Sequence, residues 1–313
     1  MWLGLAGILG LFVLFVHWKA RRHERRAQAS HPPEGTFLTV DGHRVHVVIK
    51  GSGPDLVLIH GASGSTRDMT FELVHHLSDR YRVIVFDRPG LGYTDRISNT
   101  GATLVQQADI LSKACLQLGA ARPIVMGQSY GGSLALAWAV HFPDRIAALV
   151  PVAAPSSVWA RPLDTYYTIT SHPVLGPLVI PLLTAFVSDS YVDTVLASIF
   201  VPQDEPAGYG AYFGPGLTLR RASLRANALQ RANLLSEITT LYPRYGDIAV
   251  PTEILHGDAD VIVPAWNHSE RLVARIPDAK LTLLSGIGHM PHTVAPKAVS
   301  DAIDRAARRA GLH

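Results

Sequence analysis

Apolar positions follow two patterns that alternate along the chain from residue 36 onward. Short runs rich in Val, Ile and Leu are typical of buried strands, and longer segments with apolar residues at helical spacing are typical of amphipathic helices. Strands that alternate with helices form βαβ units, so the pattern predicts an α/β fold with a mostly parallel sheet flanked by helices. The predicted strands are Thr36–Val40, His43–Lys50, Asp55–Ile59, Arg82–Phe86, a run beginning at Ile124, Ala147–Ala153, Thr252–His256 and Lys280–Leu284.

The polar turns between these runs indicate how neighbouring elements connect. Asp41-Gly42 separates the first two predicted strands, and this pair favours the tight turn of a β-hairpin. The predicted helices are Met69–Leu77, Leu104–Leu118, Ser133–Phe142, a helix after Pro264, and Ala295–Ala310.

The alternation stops between Ser156 and Gly246, where the sequence is helical and loop-like and rich in Tyr, Phe, Pro and Arg. Open α/β sheets bind ligands at the carboxyl ends of their strands. We therefore expect residues 156–246 to form an inserted helical cap over that edge, with residues 36–155 and 247–313 as the core. Some cap aromatics should line an apolar pocket. We expect a solvated helix face to carry Arg220, Arg221, Arg225 and Arg231.

The N-terminal segment differs from the rest, because Trp2–Trp18 is apolar except for His17. At ~1.5 Å per residue, a helix of this length is about 25 Å long, just short of a ~30 Å hydrocarbon core. Basic residues follow it directly. We therefore expect residues 1–20 to form a single transmembrane anchor helix and residues 21–35 a basic linker. By the positive-inside rule, we expect the rest of the chain to lie on the cytoplasmic side.

A cleaved signal peptide is the alternative interpretation of this segment. Ala27-Gln28-Ala29 resembles a cleavage site. However, a signal peptide has its basic region before the apolar run, whereas here the basic residues follow it. The order of charges favours an uncleaved anchor.

Charge and composition exclude several classes of function. The formal net charge is +3, and the basic residues near the N-terminus account for it, so the remainder is about neutral. Nothing in the body indicates a nucleic-acid surface. Cys115 is the one cysteine, which excludes an intramolecular disulfide, and we expect it to be a small buried residue. Because His, Cys and Asp do not cluster with metal-ligand spacing, we expect neither a metal nor an organic cofactor.

The strongest chemical signal is a G-x-S-x-G pattern formed by Gly127, Ser129 and Gly131. An apolar run precedes it and a helical run follows, so the serine lies on a strand–turn–helix. In such a tight turn the glycines relieve crowding, and the hydroxyl is held above the sheet at a helix N-terminus. That terminus favours developing negative charge. Ser129 is therefore a candidate nucleophile.

A serine hydroxyl needs a base to take its proton, and the base needs a buried carboxylate to hold its tautomer. With this type of turn the expected chain order is serine, acid, histidine. The sequence supplies Ser129, Asp260 and His289 in that order, each directly after a predicted strand. The carboxyl ends of parallel strands share one edge, so we expect the three side chains to meet there.

Taken together, these segments resemble the α/β-hydrolase superfamily, in its serine-nucleophile branch with a helical cap, over roughly Thr36 to Leu312. The resemblance implies that the backbone N–H groups of Ala62 and Tyr130 form the oxyanion hole. It rests on five ordered motifs, His60-Gly61, Asp87-Arg88-Pro89-Gly90-Leu91-Gly92, Gly127-Gln128-Ser129-Tyr130-Gly131-Gly132, Gly257-Asp258-Ala259-Asp260 and Gly288-His289-Met290-Pro291.

Two of these positions have competitors nearby. Asp258 also lies in the acid loop, and the family frame G-x-x-D selects Asp260. His292 competes with His289, but the family frame puts the histidine directly after the glycine, so we expect His292 to be a surface residue. We expect His60 to hold the oxyanion turn by hydrogen bonds, and Asp87 and Arg88 to be structural.

Relatives that cleave epoxides or carbon–halogen bonds carry aspartate where this chain has Ser129. The resemblance therefore implies acyl chemistry, with hydrolysis of apolar carboxylic esters through an acyl-enzyme as the favoured reaction. Hydrolysis of C–C bonds in ring-cleavage products, or acyl transfer, would use the same triad. A binding module that kept only the fold would usually have lost a triad member. The sequence does not identify the acyl chain, the leaving group or the oligomeric state.

Overall fold

The computed structural model describes residues 2–312, with side chains from residue 5 onward. Met1, the first residue of the predicted segment 1–20, lies outside the described residues. So does His313, the last residue of the predicted segment 247–313. The described strands form one sheet of eight strands in the order β1-β2-β4-β3-β5-β6-β7-β8. They are β1 (Thr36–Val40), β2 (His43–Lys50), β3 (Asp55–Ile59), β4 (Arg82–Phe86), β5 (Ile124–Gln128), β6 (Ala148–Val152), β7 (Thr252–Gly257) and β8 (Ala279–Leu284).

The sheet is mostly parallel, as the alternation of strands and helices predicts. Only β2 pairs antiparallel with its neighbours, β1 and β4, and the other pairings are all parallel. The predicted hairpin is confirmed, because Asp41 (φ 49°) and Gly42 (φ 80°) both adopt the left-handed conformation of its tight turn. The strands β3, β5, β6, β7 and β8 therefore direct their carboxyl ends to one edge.

Twelve α-helices complete the described part of the chain. They are α1 (Trp2–Ser30), α2 (Thr66–Thr70), α3 (Leu104–Gln117), α4 (Tyr130–His141), α5 (Thr165–Ser171), α6 (Leu175–Phe186), α7 (Asp189–Ser198), α8 (Tyr209–Phe213), α9 (Arg221–Leu241), α10 (Ser269–Val273), α11 (Pro291–Val294) and α12 (Pro296–Arg309). Short 3-10 helices are Leu73–His76, Pro143–Arg145, Pro215–Leu217 and Tyr242–Asp247.

Two apolar layers hold the sheet between its helices. On one face α3 and α4 pack against the sheet, and Trp138 and Cys115 are buried there, the latter as expected. On the other face α12 packs beside the segment that follows β3, with Met69 and Ile303 fully buried. Helix α4 is buried on nearly all sides, which explains its continuous apolar sequence.

Two predicted helices are shorter than expected. The segment Met69–Leu77 is divided into α2 and the 3-10 helix Leu73–His76, and the helix after Pro264 begins only at Ser269. In the first segment α2 contacts β3, β4 and α8, whereas the 3-10 helix contacts α12. One apolar run therefore spans two short helices.

Helices α5 to α9 lie between β6 and β7 in the chain, where the strand pattern is interrupted. Their aromatic side chains pack among themselves: Phe200, Tyr209 and Phe213 form a buried cluster with Met290 of the core. The expected solvated face of arginines is wrong. Arg220 and Arg221 are only partly exposed, because Arg220 donates to the Gly92 carbonyl and Arg221 pairs with Glu24 at 2.8 Å.

Helix α1 continues without a break from residue 2 to residue 30, and its second half packs on α6 and on the segment before α9. Within residues 2–312, no individual helix has the length and apolar composition needed to cross a membrane. The bent pair α5–α6, with 114° between its helices, meets that test jointly by length and composition. The predicted transmembrane span over residues 1–20 is therefore not supported.

Candidate active site

Ser129 lies at the sharp turn between β5 and α4, with φ 51° and ψ −121°. A residue with a side chain rarely adopts this backbone conformation, and the close packing around the turn enforces it. A Cβ on Gly127 would lie 2.0 Å from the Gly131 carbonyl oxygen, and one on Gly131 would lie 2.3 Å from the Ile59 oxygen. Glycine is therefore required on both sides of the serine.

The three residues of the proposed triad meet at the carboxyl edge of the sheet. The Ser129 hydroxyl lies 3.0 Å from His289 Nε2, and His289 Nδ1 lies 2.7 Å from Asp260 Oδ2. Ser129 is partly accessible, while His289 and Asp260 are buried. With Nδ1–H donating to the carboxylate, Nε2 is free to accept the serine proton.

Asp260 is held as a carboxylate by more than the histidine. Burial raises its pKa, but hydrogen bonds from His256 and His289, and from the backbone N–H of Val263, outweigh burial and lower the pKa well below its usual range. The Ile262 N–H also donates to Oδ1 at 2.9 Å. The carboxylate is therefore ionised near neutral pH, and these hydrogen bonds fix its orientation.

His256 is a second histidine on the same carboxylate, and in the sequence it is only the last residue of a predicted strand. Its Nε2 lies 2.7 Å from the Val263 carbonyl and 3.1 Å from Asp260 Oδ2, so Nε2 carries the proton. Its Nδ1 then accepts from the Ser269 hydroxyl. His256 therefore contacts the same Asp260 oxygen as His289 does.

The turn after β3 adjoins the serine. A Cβ on Gly61 would lie 3.3 Å from the Ser129 Cβ, so Ala62 follows at the same edge. Tyr130 is the first residue of α4, and its N–H has no acceptor one turn back in the helix. In the part of the chain that the structure describes, the N–H groups of Ala62 and Tyr130 form no hydrogen bond with another group of the chain. Both remain available to a ligand oxygen.

His60 holds this turn by hydrogen bonds, as expected. Its Nδ1–H donates to the Gly61 carbonyl at 2.9 Å, and its Nε2 accepts from the Arg88 N–H at 3.0 Å. Burial, reinforced by the nearby Arg88 charge, lowers the pKa of His60 to about 4. His60 is therefore neutral near pH 7, which is the state that both hydrogen bonds require.

Arg88 and Asp87 lie below this turn and fix its shape. The fully buried Arg88 guanidinium stacks 4.0 Å from the centre of the Tyr130 ring and donates to Gln107 and to the Gly61 carbonyl. Burial lowers its pKa to about 10, so it stays charged. Asp87 accepts from the backbone N–H groups of Thr66 and Tyr93 and from His46, which agrees with a structural role.

The two competing residues lie elsewhere. Asp258 accepts the Gly286 N–H at 2.7 Å and shapes the loop before His289, without contacting the histidine. The expectation that His292 is a surface residue is wrong: it is 1% exposed and its Nε2 lies 3.0 Å from Asp68 Oδ1. Tyr209 of α8 donates to the same carboxylate, so His292 is buried at the contact between core and cap.

Three further polar side chains, which no sequence pattern assigns to the site, connect its loops. Gln128 donates to the His289 carbonyl at 3.0 Å. Gln203, before α8, accepts the Gly288 N–H and donates to the Gly286 carbonyl. Asn227 of α9 contacts the oxyanion turn at Ser63. Gln128 occupies a variable position of the G-x-S-x-G pattern, and Gln203 and Asn227 lie in no local motif. Among the described residues, no group of three or more His, Cys, Asp or Glu side chains is placed to hold a metal ion.

The geometry can be compared with known proteins. A family model described as the alpha/beta hydrolase fold matches residues 54–296. Haloalkane dehalogenase 2 of Mycobacterium tuberculosis is 25% identical, over 87% of this chain and 94% of its own length. The 2-hydroxy-6-oxononadienedioate/2-hydroxy-6-oxononatrienedioate hydrolase of Klebsiella pneumoniae is 29% identical, over 81% of this chain and 88% of its own.

Among solved structures, a membrane phospholipase A described as a bacterial virulence factor aligns with a TM-score of 0.68 and 18% identity. The alignment covers 99% of this chain and 97% of that one, so the shared fold includes α1. The family match extends from the strand β3 region through the loop that carries His289. The chain belongs to the α/β-hydrolase fold family.

Proposed function

We propose that this protein is a serine hydrolase of apolar carboxylic esters, acting as a carboxylesterase or lipid-ester hydrolase. The observation that carries the proposal is the hydrogen-bonded series from Ser129 Oγ through both nitrogens of His289 to Asp260. Such a series activates a hydroxyl for attack on a carbonyl carbon.

In the proposed reaction Ser129 Oγ attacks the ester carbonyl while its proton moves to His289 Nε2. The carbonyl electron pair moves to oxygen, and the N–H groups of Ala62 and Tyr130 stabilise that oxyanion. Donors of this kind are each worth about 3–4 kcal/mol of barrier. Collapse of the intermediate expels the alcohol, which takes the proton from Nε2. Water then attacks the acyl carbonyl carbon while His289 Nε2 takes one of its protons. Collapse of this second intermediate breaks the bond to Ser129 Oγ, which takes the proton back as the acid leaves.

The serine also argues against the reaction of the dehalogenase relative. Displacement of a halide by Ser129 Oγ would leave an alkyl ether on the enzyme, and this site has no means of hydrolysing an ether. An acyl ester on Ser129 is, by contrast, open to attack by water at its carbonyl. Acyl chemistry is therefore the class that returns the free enzyme.

Labelling with a fluorophosphonate tests the nucleophile. The wild-type protein should label, and Ser129→Ala should not. Ser133→Ala is the matched control, since Ser133 lies one turn along α4 with its hydroxyl donating to the Pro155 carbonyl at 2.6 Å. Labelling that persists in Ser129→Ala, or that is lost in Ser133→Ala alone, contradicts the assignment.

The acyl chain is tested with p-nitrophenyl esters from acetate to dodecanoate. Each methylene buried in an apolar pocket contributes up to ~0.8 kcal/mol, so kcat/KM should rise about three- to fourfold per CH₂ until the pocket is full. The phospholipase named above supports medium or longer chains, whereas the cap aromatics Phe200, Tyr209 and Phe213 pack against one another. A steady fall from acetate onward would restrict the proposal to short esters.

C–C bond hydrolysis is the second candidate, and the Klebsiella relative favours it. That reaction uses a serine triad as well, so the site alone does not separate the two. The measurement is kcat/KM for a 2-hydroxy-6-oxo-dienoate beside the ester series. A kcat/KM for the dienoate at least 100-fold above that for the best ester would replace the ester proposal by C–C bond hydrolysis. Transfer of the acyl group to an added alcohol would instead identify the protein as an acyltransferase.

A further inference from the structure

Part of α1 projects from the protein with no covering layer. Every residue from Leu5 to Phe15 is exposed, and the large apolar side chains among them are 46–69% accessible. The helix first becomes buried at Val16, which packs with Ala20 and with Ala185 of α6. A helix that is apolar on all sides is stable only in an apolar environment.

The cap continues this surface. Helix α6 exposes Leu175, Leu178, Leu182 and Phe186, which follow one another at spacings of three and four residues and so form one stripe. Phe186, at one end of the stripe, contacts Phe15 with ring centres 6.3 Å apart. The stripe therefore joins α1 where α1 leaves the protein. Between Thr165 and Val187 the sequence contains no Asp, Glu, Lys or Arg.

Positive charge borders the apolar surface. The Lys19 ammonium lies 4.1 Å from the centre of the Phe186 ring, and the exposed residues Arg21, Arg22, Arg25 and Arg26 follow within two turns. Basic side chains beside an apolar helix match anionic headgroups at the boundary of the hydrocarbon. A second copy of the chain would bring the same positive charges together, so complementarity favours lipid as the occupant.

We propose that Leu5–Phe15 and the exposed stripe of α6 form a single membrane-binding surface, which seats the cap on an anionic bilayer. The exposed segment is about 16 Å long, which matches one leaflet of a ~30 Å core. The surface therefore enters the bilayer from one side, and α6 lies in the interface beside it. The proposal differs from a single anchor helix, because the cap itself contacts lipid.

The test places a fluorophore on the stripe of the full-length chain. Cys115 is buried, and burial raises the pKa of its thiol, so an added cysteine is the reactive one. Leu178→Cys and the control Leu116→Cys, an exposed leucine on α3, are labelled with an environment-sensitive dye. Both are mixed with phosphatidylcholine vesicles containing phosphatidylglycerol and spin-labelled lipid.

We expect the emission of the dye at position 178 to shift to the blue when vesicles are added. We also expect the spin-labelled lipid to quench it at least fivefold more than it quenches the dye at position 116. A dye at 178 that stays in water while the protein floats with the vesicles would overturn the role of α6. A blue shift without vesicles, at twice the monomer mass, would assign the surface to a second copy.

The contribution of the basic residues of α1 to membrane binding can be tested separately. Replacing Arg21, Arg22, Arg25 and Arg26 with Gln should weaken binding to vesicles with phosphatidylglycerol at least tenfold, and binding to pure phosphatidylcholine much less. Equal loss on both vesicles would contradict the anionic preference. None of these measurements needs turnover, so they can fail while the hydrolase proposal stands, and the fluorophosphonate test can fail while they succeed.

Discussion

Asn227 and Ser63 exchange two hydrogen bonds between the cap and the oxyanion turn. The Ser63 N–H donates to Asn227 Oδ1 at 2.9 Å, and Asn227 Nδ2 donates to the Ser63 hydroxyl at 2.9 Å. Thr218 adds a third bond from the cap, to the Ser63 carbonyl at 2.6 Å. Ser63 has a φ of 58°, so the cap holds in place a turn that is strained on its own. Ala62, directly before it, depends on that turn for the direction of its N–H.

Removal of this contact should therefore lower catalysis more than stability. In Asn227→Ala we expect kcat for the preferred ester to fall about tenfold, since a lost hydrogen bond of about 1–1.5 kcal/mol misdirects the N–H of Ala62, the proposed oxyanion donor. The matched control is Asn233→Ala, on the same helix, whose side-chain amide donates to the Thr100 carbonyl. An unchanged kcat in Asn227→Ala, or an equal loss in both variants, would refute the coupling.

Substitution of Asp260 and of Asp258, the two aspartates of the loop after β7, should affect activity very differently. Asp260→Asn should lower kcat by ~10⁴, because the amide cannot hold the His289 tautomer that leaves Nε2 free. Asp258→Asn should stay within threefold of wild type, because Asn keeps an oxygen for the Gly286 N–H. Steady-state kinetics of both variants, with far-UV spectra to establish folding, decide the matter. A more damaging Asp258→Asn would reverse the acid assignment.

Backbone strain at Ser129 predicts that the residue chosen for the reaction costs the fold stability. Ser129→Ala and Ser129→Gly both remove the hydroxyl, but only Gly adopts a φ of 51° without strain. The strain is about 1–3 kcal/mol, partly offset by the greater entropy of Gly in the unfolded chain. We expect Ser129→Gly to be more stable than Ser129→Ala by about 1 kcal/mol in urea unfolding. If Ser129→Ala is as stable or more so, the turn is unstrained.

Glu237 should make stability depend on pH. Burial raises the pKa of this α9 carboxyl to about 7, although the Leu104 N–H bonds it. Between the unfolded pKa near 4.5 and the folded one, the folded state keeps a proton that the unfolded state loses. Stability therefore falls as pH rises from 4.5 to 7, by about 1–2 kcal/mol after allowance for solvent screening.

Glu237→Gln keeps an oxygen for the Leu104 N–H and removes the titration. The difference in unfolding free energy between this variant and wild type should be near zero at pH 4.5 and should favour the variant by about 1–2 kcal/mol at pH 8. The exposed Glu270→Gln serves as the control. A difference that does not change with pH would show that Glu237 is ordinarily ionised.

The strands and the order of the site could be predicted because their signals are local. A strand buried on both faces requires a continuous apolar run, so the predicted β3 and β4 have the bounds that the structure gives them. The turn around Ser129 requires glycine at fixed offsets, whatever else the chain does. Parallel strands share an edge, so Ser129, Asp260 and His289 could be expected to meet before any contact was known.

Contacts between segments that are distant in the chain leave no local pattern in the sequence. His256 and Gln128 look like ordinary strand residues, yet one supports Asp260 and the other bonds the loop of His289. His292 looks like a surface residue, because the carboxylate that receives it comes from Asp68, more than two hundred positions earlier. A polar side chain has no periodicity that reveals its partner, so these roles were decided only by packing.

The sequence by itself determined the fold class, the serine turn and the N-terminal apolar run, since each follows from the composition of neighbouring residues. The tertiary structure decided how these parts act together. It placed α1 against α6 through Phe15 and Phe186, and it connected the cap to the oxyanion turn through Asn227. Both contacts join segments that are far apart in the chain, and only the closing of the fold fixes the distances on which they depend.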